Sequence, residues 1–446
     1  MVKVRFAPSP TGLLHVGNIR VALLNYFFTK KNGGKFVLRI DDTDKERSSK
    51  ELEQIILEDL RWLGLKWDEF YRQSERLERY LQVFEKLREE GRIYKCFESR
   101  EILSLMRKTQ AASGKPPVYN RAALKMSDEE IKKREENGEK PYWRFKLNDS
   151  EKSEWNDLIH GKIEIPLNTV SDPVIIKPDG SCVYTFSSVI DDIDMGITHI
   201  IRGDDHVTNT AVQIDIFRAI AGSQPEFAHI PLMSALDGQE VSKRTGSPLS
   251  IINMRNDGIF PEAIIDVLAT IGTSESAKCG KTLDDFINDF DFKKVSTSAV
   301  KFNIEDIHNI NKKIISEKNF DEVKSELEKL NLKNLSREFW DTVKNNLSSL
   351  KDVASWHEIL SGEIKIIKQD ENFVRQMADT LKEPFDFENW ISDLKKLSGR
   401  KGKELYHPIR IVLTGIDNGP ELKKITEFLG YSKIKERIAN NLNCKA

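Results

Sequence analysis

Apolar and basic residues alternate over Val2-Lys3-Val4-Arg5-Phe6, the two-residue period of a short strand. Pro8, Pro10 and Gly12 then force a loop. From about Val16 the residues Ile19, Leu23, Leu24 and Phe27 recur at helical spacing. The apolar run Lys35-Phe36-Val37-Leu38-Arg39-Ile40 predicts a buried strand that ends in the acidic cluster Asp41-Asp42-Thr43-Asp44. Ser48 and Glu51 have capping-box spacing, Leu52, Ile55, Ile56, Leu60 and Leu63 follow at helical spacing, and Gly64 is a natural stop. A further helix is predicted from Ser74, with Leu77, Tyr80, Leu81, Phe84 and Leu87 on one face and Gly91 beyond it. Strand alternating with helix on this scale predicts a parallel α/β sheet.

The pattern changes over residues 92–173. Helical pieces at 99–109 and 127–137 are mixed with a Gly/Pro-containing loop at 113–117 and the strand-like run Tyr142-Trp143-Arg144-Phe145-Lys146. This predicts an insertion of α+β character interrupting the α/β domain. The α/β pattern resumes with 174–177, 182–190, 196–202 and 211–221, and the loop after Leu236 completes it. Beyond about Ile304 the chain reads as all-helical. Phe320, Val323, Leu327 and Leu330 share one face, and Leu422, Ile425, Phe428 and Leu429 share another between Pro420 and Gly430. The expected segments are 1–91, 92–173, 174–245, 246–304 and 305–446, with no internal repeat.

A chain of 446 residues with 39% hydrophobic and 31% charged content is sized for two to four globular domains with densely charged surfaces. The formal net charge of −2 announces no nucleic-acid partner, so any RNA contact must rest on local basic faces. Residues 391–446, with 12 Lys+Arg against 6 Asp+Glu, are one such stretch. Cys96, Cys182, Cys279 and Cys444 show no paired spacing, which fits a reducing cytosol better than a disulfide framework. No signal-type apolar core follows Met1, and no apolar run approaches the roughly 20 residues that span a bilayer. The expectation is a cytoplasmic protein without membrane association.

Candidate chemistry begins where the first helix starts, with His15 and Gly17 at its N-terminus. Unpaired amides and the positive end of the helix dipole favour an anion there, phosphate above all. A second candidate is Gly238-Gln239-Glu240-Val241-Ser242-Lys243-Arg244-Thr245-Gly246, a glycine-flanked loop with adjacent Lys and Arg suited to a polyphosphate. Neither a Walker-A string nor a Gly-x-Gly-x-x-Gly fingerprint occurs, which counts against a P-loop NTPase or a dinucleotide enzyme. Arg5 ends the first strand and Arg202 ends the run 198–202, so both fall where parallel sheets line a ligand crevice. The planar fork of arginine matches a substrate carboxylate; the competing reading pairs each arginine with a nearby aspartate.

The string from Arg5 through Pro8-Ser9-Pro10-Thr11-Gly12 to His15-x-Gly17 resembles the first signature (HIGH) of class I aminoacyl-tRNA synthetases, specifically the glutamyl-tRNA synthetase family. Ser242-Lys243-Arg244 resembles the second (KMSKS), with Glu240 and Thr245 departing from the family pattern. The resemblance implies a Rossmann-like α/β catalytic domain with an α+β insertion that binds the tRNA acceptor stem. A stem-contact region over 246–304 and an all-α anticodon-binding region follow. It implies catalysis by His15, Gly17, Ser242, Lys243 and Arg244, and ATP binding by Pro10, Thr11, Gly12, His15, Gly17, Asp205 and Lys243. Glutamate would meet Arg5, Ala7, Ser9, Asp41, Tyr184, Ser188 and Arg202, with Asp41 standing where the family has glutamate and Ser188 where asparagine is common.

Cys96 is solitary, with Glu98 in place of a second cysteine, so no zinc is expected; the implied cofactors are ATP and Mg2+. The string 402–415 resembles the end of the anticodon-binding region, and Lys401, Lys403 and Arg410 are its candidates for tRNA phosphates. The implied function is ligation of glutamate to tRNA-Glu, tRNA-Gln or both, by a monomer. One alternative is a truncated paralogue that glutamylates a modified tRNA base, and residues 305–446 argue against it. The other is a non-catalytic tRNA-binding paralogue, against which stand the retained His15, Gly17, Lys243, Arg5 and Arg202.

Overall fold

The computed structural model describes residues 1–114, 116–235 and 249–444, which divide into two units. The first unit comprises Met1–Asn253 with Ile265–Asn303. Its centre is a sheet of seven strands in the order β3-β2-β1-β9-β10-β6-β7. In chain order the strands are β1 (Lys3–Phe6), β2 (Lys35–Ile40), β3 (Glu69–Arg72), β4 (Ile93–Cys96), β5 (Tyr142–Phe145), β6 (Lys152–Asp157), β7 (Gly161–Pro166), β8 (Val174–Ile176), β9 (His199–Gly203), β10 (Glu226–Ile230), β11 (Met233–Ala235) and β12 (Val300–Phe302). All pairings in the large sheet are parallel except β6 with β7. Strand β2 is buried at every position after Lys35, the pattern of a strand covered on both faces.

The helices of this unit include α1 (Val16–Lys31), α2 (Lys50–Trp62), α3 (Leu77–Glu89), α4 (Arg100–Ala112), α5 (Asp128–Glu136), α6 (Tyr184–Asp194) and α7 (Val207–Ala221). Helix α1 packs on β1, β2 and β9. It buries Arg20, Asn25 and Thr29 along with its apolar residues, as a helix enclosed on all sides must. Phe84, Leu87, Trp155, Phe186, Val189 and Phe227 bring α3, α6, β6 and β10 into one core.

Four sequence expectations change. Helix α2 is capped by Ser49, whose side chain accepts from Leu52 N, so the Ser48–Glu51 box is displaced by one residue. The helix expected from Ser74 begins as a 3-10 turn, Gln73–Arg76, and Leu77 and Leu81 stay exposed at 39% and 52%. Tyr80, Val83, Phe84 and Leu87 form the buried face instead. Strand β8 pairs with β5 in a separate sheet, β4-β5-β8, not in the large one. Conversely, the hairpin β6–β7, within residues 92–173, extends the large sheet beyond β10. Two cross-strand ion pairs, Lys152–Glu164 and Lys162–Glu154, line its outer face.

The second unit, Met254–Ile264 with Ile304–Ala446, is helical as expected. One core gathers Phe260, Val323, Leu327, Phe339 and Trp340; another gathers Phe373, Trp390, Leu405 and Val412. The final helix, Leu422–Asn443, breaks at Gly430 (φ 68°) and supplies Ile425 to the first core and Ile434 to the second. Gly258 has φ +75°, and a Cβ there would sit 2.5 Å from the Leu350 Cβ and 3.1 Å from its amide. Gly258→Ala is therefore expected to destabilise this unit by about 2–3 kcal/mol, read as an earlier urea transition.

Candidate active site

From β1 the chain moves outward on one side to β2 and β3, whereas β9 and β10 are added on the other side of β1. The crevice beyond the C-terminal ends of β1 and β9 is thus the switch point of the sheet, where ligands of open α/β folds bind. A cavity of about 670 Å³ opens there. Eight residues expected from sequence line it: Arg5, Ala7, Ser9, His15, Gly17, Tyr184, Arg202 and Asp205.

Others lie elsewhere. Pro10 and Thr11 shape the loop, with Pro10 O accepting from Ser49 N and Thr11 N donating to Ser9 O; neither they nor Gly12 line the cavity. Ser188 is buried, donating to Tyr184 O and accepting from Gln213 Nε2. Asp41 is also buried beside the cavity rather than on it, and both its oxygens accept from Arg39, at 2.7 and 3.2 Å. Ser242, Lys243 and Arg244, with Glu240 and Thr245, lie outside the described residues.

His15 is the N-cap of α1. Its Nδ1 accepts from Gly17 N at 3.1 Å, while Asn18 Oδ1 accepts from His15 N. With Nδ1 an acceptor, the proton of the neutral ring sits on Nε2. A Cβ on residue 17 would stand 2.9 Å from His15 Cε1. The His-x-Gly spacing thus has a steric side: with a Cβ at residue 17 the imidazole would have to shift from its place over the helix terminus. The Gly17 amide, expected from sequence as an anion donor, is engaged by this cap. The chain just after the second signature also reaches this point, since Leu249 O accepts from Val16 N and Ile251 N donates to Leu14 O.

The arginines differ in how their charge is met. Arg5 pairs with Asp192 (3.1 Å), which also receives Arg39 at 2.7 Å, and at the same time lines the cavity. Arg202, only 6% exposed, donates to the hydroxyls of Thr210 (2.6 Å) and Tyr184 (3.3 Å) and forms no ion pair among the described residues. Burial lowers its pKa, which is the cost of an uncompensated cation. Behind the cavity, Asp191 receives Gln73, Arg76 and Tyr80 and anchors α6 to α3.

Arg20 and His206 also line the cavity and were not singled out from sequence. Arg20 follows Gly17 by one helical turn, and His206 adjoins Asp205, so proximity to the motifs was the available signal. Arg20 binds the carbonyls of Pro231 and Ile271, and burial lowers its pKa to about 10.

Away from the cavity, Cys96 is buried against Tyr119 and Tyr142, whose hydroxyls both donate to Glu98, with Arg144 stacked over their rings. Burial and Glu98 push the Cys96 thiol up to about 12, so it stays protonated at neutral pH. Among the described residues no three His, Cys, Asp or Glu side chains form a set able to hold a metal ion. In the second unit Lys403 and Arg410 line a surface hollow with His407, Lys401 is exposed, and Arg410 donates to Pro420 O.

Burial and the neighbouring Arg202 lower the His206 pKa to about 4, and burial likewise lowers those of His199 and His229. Between the unfolded value near 6.5 and these lowered values, the unfolded chain binds more protons, so stability is lost as pH falls. Burial raises Asp41 to about 6, and that group acts in the opposite sense over the same window. Allowing for solvent screening of His206, a net loss of about 1 kcal/mol is expected between pH 7 and pH 5. Urea midpoints across that range measure it; His206→Asn is expected to flatten the slope and Asp41→Asn to steepen it.

Residues 1–309 match the family model described as tRNA synthetases class I (E and Q), catalytic domain, and residues 341–442 match an anticodon binding domain. The chain is 42% identical over 444 residues to glutamate–tRNA ligase 1 of Maricaulis maris and 43% identical over 446 residues to glutamate–tRNA ligase 2 of Gluconobacter oxydans. In both, the match covers 98% of this chain and 99% of the relative. A crystal structure of a glutamate tRNA ligase from Elizabethkingia meningosepticum in complex with its amino acid superposes with TM-score 0.80 at 29% identity, covering 99% of each chain. Glutamate-tRNA synthetase from Elizabethkingia anophelis gives 0.82 at 29% identity over 99% of this chain and 100% of that one. By its switch-point cavity, its His-x-Gly cap and these relatives, the chain belongs to the class I tRNA synthetases of the glutamate and glutamine group.

Proposed function

We propose that this chain is a glutamate–tRNA ligase. It makes glutamyl-adenylate from glutamate and ATP, then passes the glutamyl group to the terminal ribose of tRNA-Glu, tRNA-Gln or both. The observation that carries the reading is Arg202: a buried guanidinium facing the cavity, met among the described residues by two hydroxyls and no carboxylate, which the side-chain carboxylate of glutamate would neutralise. Arg5 shares its charge with Asp192 and supports the same carboxylate from the neighbouring strand.

In the first step a substrate α-carboxylate oxygen attacks the α-phosphorus of ATP, and the bond to the bridging oxygen of pyrophosphate breaks. Charge builds on the phosphoryl oxygens and on the leaving group, so fixed donors are the efficient catalyst. His15, with its proton on Nε2, is one such donor, and the Lys243 ammonium is assigned as the other. Met233 lines the cavity and Leu249 bonds to Val16, so both flanks of the segment carrying Lys243 lie at this site. Magnesium would come with the nucleotide, held by phosphate oxygens, and would neutralise part of their charge. In the second step a ribose hydroxyl attacks the glutamyl carbonyl and AMP leaves. Lys401 and Lys403 are assigned to tRNA phosphates. The protein is read as a monomer working in the cytoplasm, where its four free cysteines fit a reducing milieu.

Pyrophosphate exchange that depends on both glutamate and tRNA tests the activity; its absence with either tRNA sinks the reading. Arg202→Ala is expected to raise KM for glutamate about 30- to 100-fold, with little change in KM for ATP. Lys243→Ala is expected to depress exchange about 10²- to 10³-fold while circular dichroism stays that of the parent. Charging tRNA-Glu and tRNA-Gln separately with labelled glutamate decides the tRNA.

A further inference from the structure

Behind Arg202, away from the cavity, runs a line of three buried polar side chains from three different elements. Arg202 Nη2 donates to Thr210 Oγ on α7 at 2.6 Å, and Thr210 Oγ lies 2.7 Å from His229 Nε2 on β10. His229 Nδ1 lies 2.5 Å from Asp157 Oδ2 at the end of β6. Thr210 and His229 are fully buried, and Asp157 is 4% exposed. His229 is the register partner of Arg202 between β10 and β9, so the sheet itself sets their spacing.

The donor and acceptor roles are fixed from the far end. Asp157 Oδ1 accepts from the backbone amides of Ile159, His160 and His229. Burial would raise this carboxyl, but the His229 bond and the amides outweigh it and hold it at about 2, hence ionised. An ionised Asp157 takes the proton of His229 Nδ1, and burial keeps His229 neutral, so Nε2 is left as an acceptor. The Thr210 hydroxyl has two acceptors within reach, His229 Nε2 at 2.7 Å and His206 O at 3.2 Å; it donates to the nearer, Nε2, and offers its lone pairs to Arg202.

We propose that Asp157, His229 and Thr210 are positioning residues that hold the Arg202 guanidinium in the orientation required by the side-chain carboxylate of the amino-acid substrate. The inference rests on the assignment of Arg202 as that carboxylate's partner. An arginine side chain has large rotamer freedom, and freezing it before the substrate arrives removes that cost from binding. The line uses neutral links next to Arg202 and keeps its one negative charge at the far end. The cation is thereby oriented without being neutralised, and its charge remains for the ligand. The hairpin β6–β7 thus contributes to amino-acid recognition through Asp157, although no residue of the hairpin lines the cavity.

The test is steady-state pyrophosphate exchange on the full chain with three variants at position 210 or 202. Thr210→Val keeps the shape and removes the hydroxyl; it is expected to raise KM for glutamate about 10-fold, with kcat within about 3-fold and KM for ATP unchanged. Thr210→Ser restores the hydroxyl and is expected to return KM for glutamate to within about 2-fold of the parent. A parental KM in Thr210→Val, or equal losses in Val and Ser, overturns the proposal. Should Thr210→Val not fold, His229→Asn withdraws the acceptor from Thr210 and carries the same expectation and the same refutation. Arg202→Ala separates the two levels. An unchanged KM for glutamate there defeats the assignment of Arg202, whereas a raised KM there with a parental KM in Thr210→Val defeats the line alone.

Discussion

The site depends on a guanidinium buried without a carboxylate. The first unit encloses several arginines, and comparing what meets each one separates structure from recognition. Arg39 receives Asp41 and Asp192, Arg5 receives Asp192, and Arg20 is met by two backbone carbonyls. In the second unit Arg437 is met by the carbonyls of Ile359, Leu360, Gly362 and Leu413. All of these have full-strength acceptors and tie backbone segments or carboxylates in place. Arg202 alone in this comparison has only hydroxyls. Keeping a cation desolvated in that state costs stability, and a site that binds an anion recovers the cost on binding.

The sheet topology turns that local cost into a positioned site. Reversal of strand order at β1 and β9 puts Arg5 and Arg202 at adjacent strand ends, and the same reversal opens the crevice between them. Behind it, Asp191 and Asp192 on α6 are shared among Arg5, Arg39, Arg76, Gln73 and Tyr80. This network fastens α6 to β1, β2 and α3, so Tyr184, the first residue of α6, is presented to Arg202 from a rigid element.

What the sequence revealed follows from where information is local. Strands β1 and β2 and helix α1 were legible because short apolar runs bounded by Pro, Gly and acidic residues mark their own ends, and His15 and Gly17 because cap and helix are contiguous. The pairing of β6 with β10 was hidden, since nothing in residues 152–166 says which sheet edge they join. With it went the role of Asp157, and hence any reason to notice His229 or Thr210. Asp41 shows the converse: its acidic side chain reads as a ligand for the substrate, but Arg39, two residues earlier near the end of β2, takes its carboxylate. Ser188 is similar: in the second turn of α6 its hydroxyl bonds back to Tyr184 O, a local contact that its place in the motif does not reveal.

The two ends of the cavity are built by different means. Arg5, Tyr184 and Arg202 stand on strand ends and on α6, elements fixed by the sheet and by buried charge. The end assigned to the nucleotide is made where α1 begins, and it is closed by contacts from far along the chain: Leu249 to Val16, Ile251 to Leu14, and Arg20 to Pro231 and Ile271. This second end is met by residues that flank the second signature, and these reach the start of α1 through backbone hydrogen bonds. In the proposed assignment, amino-acid recognition belongs to the sheet and the phosphate chemistry to the start of α1 and the segments that meet it.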